Sequence, residues 1–525
     1  MQLRYMDEEA FTKIHDRPVY LVRNFRGCIN DLCALYNILN DIQGVFDDEQ
    51  YKYYRSCVIG ERVVPLLDMK RIASLPENAV IILMGGNYKR DFIKLSESSG
   101  IGECFPVVYF FPNKEGRYAY SYRQKYEKKP LKNIIIFRSG EAASINIPGL
   151  DFYDNSRALF EYMLSEGYNE KYELVWLVHN PFAYEHKYQG IKNVLFLPYD
   201  GAFSEDKNVR DLYYKKFYLA KFFFFTDSYI FARNVREGQT RVQLWHGNGL
   251  KGRMNFTREA DNYEYMPVVS ELYADIHERI FGLRREQLLI TGLPKEDWLF
   301  HPVAEWRMRF NVPLSKKYIF WLPTFRKTSD RALNGLADSS FKSRTGLPVV
   351  NDASLLKILN DVLCQEDVVL LIKLHPYQDR NAIEAGDFSN IVLLENRKLL
   401  WEDVQINELL GHADALISDY SSAAIDYLML DRPIAFTIDD YEEYQESRGF
   451  HWQDIRNWLP GKEIFTFDDF VEFVHEIAND QDVDAQKRRE LRSKFHKFAD
   501  DKSCARVLKA LGILQGEETV CKVNR

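Results

Sequence analysis

Short runs of consecutive apolar residues recur along almost the whole chain, and they constrain its fold more than any other feature. Val19–Val22, Ala79–Met84, Val107–Phe111, Asn133–Phe137, Leu174–Val178 and Phe222–Phe225 are such runs, as are Tyr318–Leu322, Val368–Lys373, Ile391–Leu394 and Ile434–Phe436. Segments of helical character stand between them, for example Ser156–Ser165, Val209–Leu219 and Ala353–Cys364. Strands that alternate with helices predict parallel sheets covered by helices.

The order of these runs suggests five regions. Residues 1–16 read as a short lead-in to a small Rossmann-like accessory module that ends at residue 111. Its first strand is followed by Arg23-Asn24-Phe25-Arg26-Gly27 and not by GxGxxG, so a dinucleotide site is not expected there. A helix over Asp31–Asp41 and a strand-to-helix step at Gly85-Gly86-Asn87, closed by Gly100-Ile101-Gly102, complete the module. Residues 112–132 are polar and rich in Lys, Tyr and Arg. They read as a linker, either a solvated loop or a basic surface that meets an anionic acceptor or a membrane face. Two larger α/β units are expected over 133–311 and 312–480, the second with a mobile loop over 328–348 and a helix over Glu402–Leu410. Residues 481–525 read as a charged helical tail, and Lys487–Lys497 is either an exposed helix or a second basic contact.

Composition narrows the function. The chain has 525 residues and a net charge of −8, which argues against a general nucleic-acid binder. No run reaches the ~18–20 apolar residues of a membrane span. The segment Met1–Arg17 is charged and lacks an apolar signal core, so a cytoplasmic protein is expected. The seven cysteines are scattered without a CxxC pair, which fits reduced thiols better than disulfides or zinc.

Four strand ends carry residues suited to chemistry. Leu416-Ile417-Ser418-Asp419-Tyr420-Ser421-Ser422 reads as a buried strand, a polar turn and a helix start, which is either an ordinary capped helix or an anion site. Trp245-His246-Gly247-Asn248-Gly249-Leu250-Lys251-Gly252-Arg253 places a histidine among glycines and two cations. The histidine is either structural or able to take a proton from an alcohol, and Lys251 and Arg253 could hold phosphate. His375-Pro376 follows a strand ending at Lys373, and Thr324 and Arg326 follow another. Thr291-Gly292-Leu293-Pro294-Lys295 is a turn where two lobes could meet. Asp439-Asp440 reads as a surface turn rather than a metal–nucleotide element.

Taken in order, these motifs resemble the CDP-glycerol glycerophosphotransferase family, the teichoic acid polymerases and primases. The resemblance covers about residues 133–480. It rests on the Trp245-His246-Gly247 loop with Leu250-Lys251, the Gly292-x-Pro294 turn, Leu322-Pro323-Thr324-x-Arg326, Lys373-x-His375-Pro376, and Ser418–Ser422 with Asp426. Asp431-Arg432-Pro433-Ile434, Tyr441–Tyr444 and Arg448-Gly449-Phe450 extend the last motif. The resemblance implies a GT-B-type pair of Rossmann-like lobes, with an acceptor lobe over 133–311 and a CDP-donor lobe over 312–480. It also implies transfer of glycerol phosphate or ribitol phosphate from CDP-glycerol or CDP-ribitol to a hydroxyl of a teichoic-acid-like or capsular polymer. No cofactor and no metal are implied.

In that reading His246 is the general base and His375 lies near the donor phosphates. Ser421, Ser422, Arg326, Thr324 and Lys373 bind those phosphates, Gly247, Lys251 and Arg253 contact acceptor or phosphate, and Asp419 and Asp426 orient the turn. A lipid-linked acceptor and peripheral contact with the inner face of the cell membrane are implied as well. The family loop commonly reads HGTPLK, whereas Asn248-Gly249 stands here in place of Thr-Pro. That departure leaves room for a nucleotide-sugar-dependent glycosyltransferase of capsule or lipid-linked glycan assembly. A non-catalytic scaffold that binds nucleotide or polymer is the third alternative.

Overall fold

A computed structural model describes residues 3–514 apart from 15, 23–28, 30–31, 33–34, 48–50, 85–90, 94, 96–106, 113, 141–150, 227–231, 233–234, 253–261, 325–344, 375–387 and 448. The helix expected over Asp31–Asp41 does not reach Asp41: residues 37–41 are not helical, and Asn37 takes a left-handed φ of 51°. Residues 31, 33 and 34 and the Gly85-Gly86-Asn87 step lie outside the described residues. So do Arg253, Arg326, His375 and most of the loop expected over 328–348.

The chain divides into two compact units. The first comprises Met1–Pro130 together with Asp200–Leu219. It is built on strands β1 (Leu3–Tyr5), β2 (Val19–Val22), β3 (Ile42–Phe46), β4 (Ser56–Ile59), β5 (Arg62–Leu67), β6 (Val80–Met84) and β7 (Val107–Phe111). They form one sheet in the order β1-β7-β6-β2-β3-β5-β4, parallel except for the β4–β5 hairpin. The module is larger than expected at both ends. The lead-in contributes β1, with Leu3 opposite Val108, and a helix over Glu8–Ile14. The segment expected to be a linker is instead a helix, Lys114–Tyr126. Its polar composition hid an aromatic face: Tyr122 stacks on Tyr214 at 4.4 Å and the Tyr218 hydroxyl donates to the Ala119 carbonyl at 2.8 Å. Those contacts join it to the helix Lys207–Leu219.

The second unit comprises Leu131–Tyr199 and Ala220–Arg525. Strands β8 (Ile134–Arg138), β9 (Glu173–Val178), β10 (Val194–Pro198), β11 (Phe222–Phe225) and β12 (Thr240–Gln243) form a parallel sheet in the order β10-β9-β8-β11-β12. A parallel pair, β13 (Met266–Val268) and β14 (Leu288–Ile290), follows. Strands β15 (Lys317–Trp321), β16 (Val368–Ile372), β17 (Ile391–Leu393), β18 (Ala415–Ser418), β19 (Ile434–Thr437) and β20 (Lys462–Ile464) make the last sheet, parallel throughout, in the order β17-β16-β15-β18-β19-β20. Both larger sheets start at a central strand, run outward to one side and then return to fill the other. Such an order reverses between β8 and β11, and again between β15 and β18. At a reversal the loops after adjacent strands diverge and leave a crevice at the carboxyl edge.

Each sheet buries its own core. Phe137, Trp176 and Phe224 pack under the first, and Ile319, Trp321, Leu370 and Ile417 under the second. Two expectations are corrected here. Residues 345–350 are packed, not mobile, because Leu347 and Val350 are fully buried in the second core. The helix expected over Glu402–Leu410 is split into Asn396–Trp401 and Ile406–Leu410, with Asp403 between them at φ 54°. The tail is not free either. Helix Ala485–Phe495 buries Arg488, Leu491 and Phe495, and helix Ser503–Ala510 inserts Cys504, Val507 and Leu508 into the core of the first sheet. No helix among the described residues is long and apolar enough to cross a membrane.

Candidate functional site

The loop after β12 leaves the sheet by an unusual path. Trp245 takes a left-handed conformation at φ 56°, and Gly247 follows at φ 147°. A side chain at φ 147° is strained, so glycine is required there. A Cβ on Gly247 would also lie 2.7 Å from Ser422 Oγ. The loop is held from below by Asn155, whose amide donates to the Trp245 carbonyl at 2.8 Å. With its backbone tied down, the loop presents the exposed His246 imidazole beside the Trp245 indole, ring centroids 4.0 Å apart.

A second turn approaches from the β15/β18 reversal. Ser421 caps the helix Ser422–Tyr427, and its hydroxyl accepts from Ala423 N–H. Asp419 is fully buried and accepts from both the amide and the hydroxyl of Thr324, each at 2.7 Å. The carboxylate therefore ties the loop after β15 to the loop after β18. Tyr420 is buried against Tyr444 and Phe450 and donates to Asp440 Oδ1 at 3.0 Å. Asp440 is thus buried, contrary to the expected surface turn, while Asp439 is exposed and accepts from Val349 N–H at 2.9 Å.

The two turns meet around one cavity of about 280 Å³. His246, Gly247, Lys251, Thr324, Ser421 and Ser422 all line it, so residues distant in sequence converge there. Backbone bonds close it along one side. Gly252 N–H donates to the Gly449 carbonyl at 3.0 Å, and His451 N–H donates to that of Leu250 at 3.1 Å. Lys251 and Phe450 pair between them as an antiparallel bridge. Lys373 follows β16, with its amide bonded to Trp321, and is not among the lining residues.

Sequence reasoning missed several lining residues. Tyr273, His277, Ile280 and Phe281 come from the helix Glu271–Phe281, and His451 from the segment after Phe450. The signal was present in part: a helical spacing of four separates Tyr273, His277 and Phe281, but the same spacing marks any core-facing stripe. Burial, followed by the nearby His451 and His246, holds the His277 imidazole down at about 3. Burial and then the Arg279 cation hold His451 at about 4. Both are neutral at physiological pH.

Beneath the cavity lies Lys295, one residue past the Gly292-Leu293-Pro294 turn. It is 6% exposed, and its ammonium donates to the His246 carbonyl at 2.6 Å and pairs with Asp426 at 3.0 Å. Asp154 is 3.9 Å away. Burial opposes this charge, but the carboxylates of Asp154, Asp426 and Glu296 together raise the ammonium above an ordinary lysine. Burial and then the Asp426 charge push the neighbouring Glu296 carboxyl well above its ordinary value.

Known proteins resemble this chain in sequence and in fold. A teichoic acid glycerol-phosphate transferase of Staphylococcus aureus is 25% identical over 419 residues, which is 73% of this chain and 94% of that protein. A teichoic acid poly(glycerol phosphate) polymerase of Staphylococcus epidermidis is 26% identical over 67% of this chain, a match that spans 47% of the longer relative. Among solved structures, the wall teichoic acid polymerase TagF aligns over 76% of this chain and 93% of its own, with a TM-score of 0.57 at 20% identity. The chain thus has a GT-B-like α/β fold. The model of the CDP-glycerol:poly(glycerophosphate) glycerophosphotransferase family matches residues 122–512, and the chain belongs to that family of enzymes.

Proposed function

We propose that this protein transfers a polyol phosphate, with glycerol phosphate the first candidate and ribitol phosphate the second, from a CDP-activated donor to a hydroxyl of a teichoic-acid-like polymer. The observation that carries this reading is the approach of the His246 loop to the Ser421–Ser422 turn across a single cavity. Phosphoryl transfer needs in-line attack and charge stabilisation more than covalent help. The imidazole of His246 takes the proton of the acceptor hydroxyl. The new O–P bond forms at the β-phosphorus, the bond to the bridging oxygen breaks, and CMP leaves with that electron pair. Lys251 and the Ser422 hydroxyl stand at the cavity to meet the charged oxygens. Ser421 accepts the Ala423 amide as the helix cap, which leaves its hydroxyl proton for the same oxygens. Thr324 positions the turn through Asp419. His375, Arg326 and Arg253, which lie outside the described residues, are assigned to the phosphates from the sequence motifs alone, and Lys373 likewise. A lipid-linked acceptor and contact with the membrane surface belong to the same proposal.

The test is a donor screen that compares CDP-glycerol, CDP-ribitol and nucleotide sugars, with mass detection of the product. CMP release with a polyol-phosphate product is expected. A glycosylated product would replace this reading by the glycosyltransferase one, and binding of CDP-polyol without turnover on any acceptor would point to the scaffold. His246→Ala is expected to lower CMP release roughly 10²–10⁴-fold, leaving a measurable residual rate, and near-wild-type release would remove it as the base.

A further inference from the structure

Lys295 does not line the cavity, yet it touches three pieces of structure that build it. One is the His246 loop, through the carbonyl of His246 itself. The second is the helix Ser422–Tyr427 that begins at the serine turn, through Asp426. The third is the start of the helix Asp154–Ser165, where Asp154 faces the ammonium and Asn155 accepts from the Lys295 amide at 3.0 Å. Asn155 is itself fully buried and holds the neighbouring Trp245 carbonyl. Loop and turn therefore share one buried cation. Both residues flanking His246 have positive φ, so the peptide carrying its carbonyl sets where the imidazole points.

We infer that Lys295 is a positioning residue for the transfer reaction: it acts through the His246 carbonyl and Asp426 to fix the imidazole against the Ser421–Ser422 turn. The physical reason is the geometry of a compact ammonium. Its three donors point in different directions, so one head group can satisfy a backbone oxygen and a carboxylate at once. A charge so placed in a dry interior is held by its partners, because shifting one of them would leave a buried charge unpaired. The inference rests on the proposed role of His246 and extends it to a residue that never meets the substrate.

The test uses the full chain and CMP release from CDP-glycerol, across donor concentration and from pH 5 to 9. The variant K295M/D426N removes both members of the buried pair, and K295R keeps the cation. Each is made in the native and in the H246A background. The double variant is expected to lose roughly 100-fold in kcat with donor KM within about threefold, as befits an interaction expressed in the transition state. In H246A it should cost nothing further, and K295R should recover most of the activity. A folded double variant with wild-type kcat, a loss confined to KM, or an equal further loss in H246A would overturn the inference. Should the double variant unfold, K295Q alone decides: a loss in kcat that K295R restores supports the inference, and a wild-type kcat overturns it. Full activity in H246A alone would instead defeat the reading of His246 as base, so the two failures are separable.

Discussion

Gly247 lies so close to Ser422 that a Cβ placed on it would stand 2.7 Å from the serine hydroxyl and 2.9 Å from the serine Cβ. This contact joins the loop after β12 to the helix after β18, and the walls of the cavity depend on it. Gly247→Ala must also adopt φ 147°, a region essentially closed to alanine. We expect the loop to shift outward and kcat to fall on the order of 100-fold, the usual penalty for misplacing a reacting group by an ångström. The melting temperature should change by only a few degrees, and steady-state CMP release against thermal melts checks both.

Acid should destabilise the second unit before its carboxylates titrate. His277, His451 and His496 are held at about 3, 4 and 4, each chiefly by burial, against an ordinary value of 6.5. Below pH 6.5 the unfolded chain takes up protons that the folded chain refuses, so stability falls as pH drops toward 4. Each histidine contributes on the order of 1 kcal/mol per pH unit in that window. Glu296 works the other way: burial raises its carboxyl, so its contribution to stability falls as pH rises above the ordinary value of 4.5. Urea midpoints at pH 7.5, 6.5 and 5.5 should decline, and His451→Gln should flatten the decline.

Arg488 is 1% exposed and fixes the helix Ala485–Phe495. Its guanidinium donates to both oxygens of Asp482 at 2.7 and 2.6 Å and to Asp431 at 3.1 Å. Arg488→Met is expected to cost about 3 kcal/mol, the lower end for breaking a buried pair. The value is low because Asp431 keeps Arg489 at 2.8 Å. Chemical denaturation of the two proteins measures it.

The C-terminal helix should be needed for stability even though it belongs to neither large sheet. Leu508 is fully buried among residues of the first core. Asp297 accepts from the amides of Ser503 and Cys504, both at 2.8 Å, and anchors the start of that helix. Leu508→Ala is expected to cost about 2–5 kcal/mol by the cavity it leaves. A chain ending before Ser503 should fail to accumulate as a folded protein, read by limited proteolysis.

Much of the architecture was legible because strand signals are local. Runs such as Ile134–Phe137 and Val368–Ile372 need only their own composition to declare a buried strand. Strand β3 was missed because Gln43 and Gly44 interrupt it; a Cβ on Gly44 would stand 2.5 Å from the end of the Leu67 side chain. The helix Lys114–Tyr126 was missed because its buried face is tyrosine, which reads as polar until its partner helix is known.

The sequence by itself determined that the chain is a succession of parallel α/β units. It also placed His246, Thr324, Ser421 and Ser422 at strand ends, since capping and strand propensity act over a few residues. Only the tertiary structure decided that these strand ends share one cavity with His277 and His451, and that Lys295 stands behind His246. Those relations join residues up to about two hundred positions apart, and no local propensity encodes them. They arise because a buried charge must find its partners wherever the packed chain brings them.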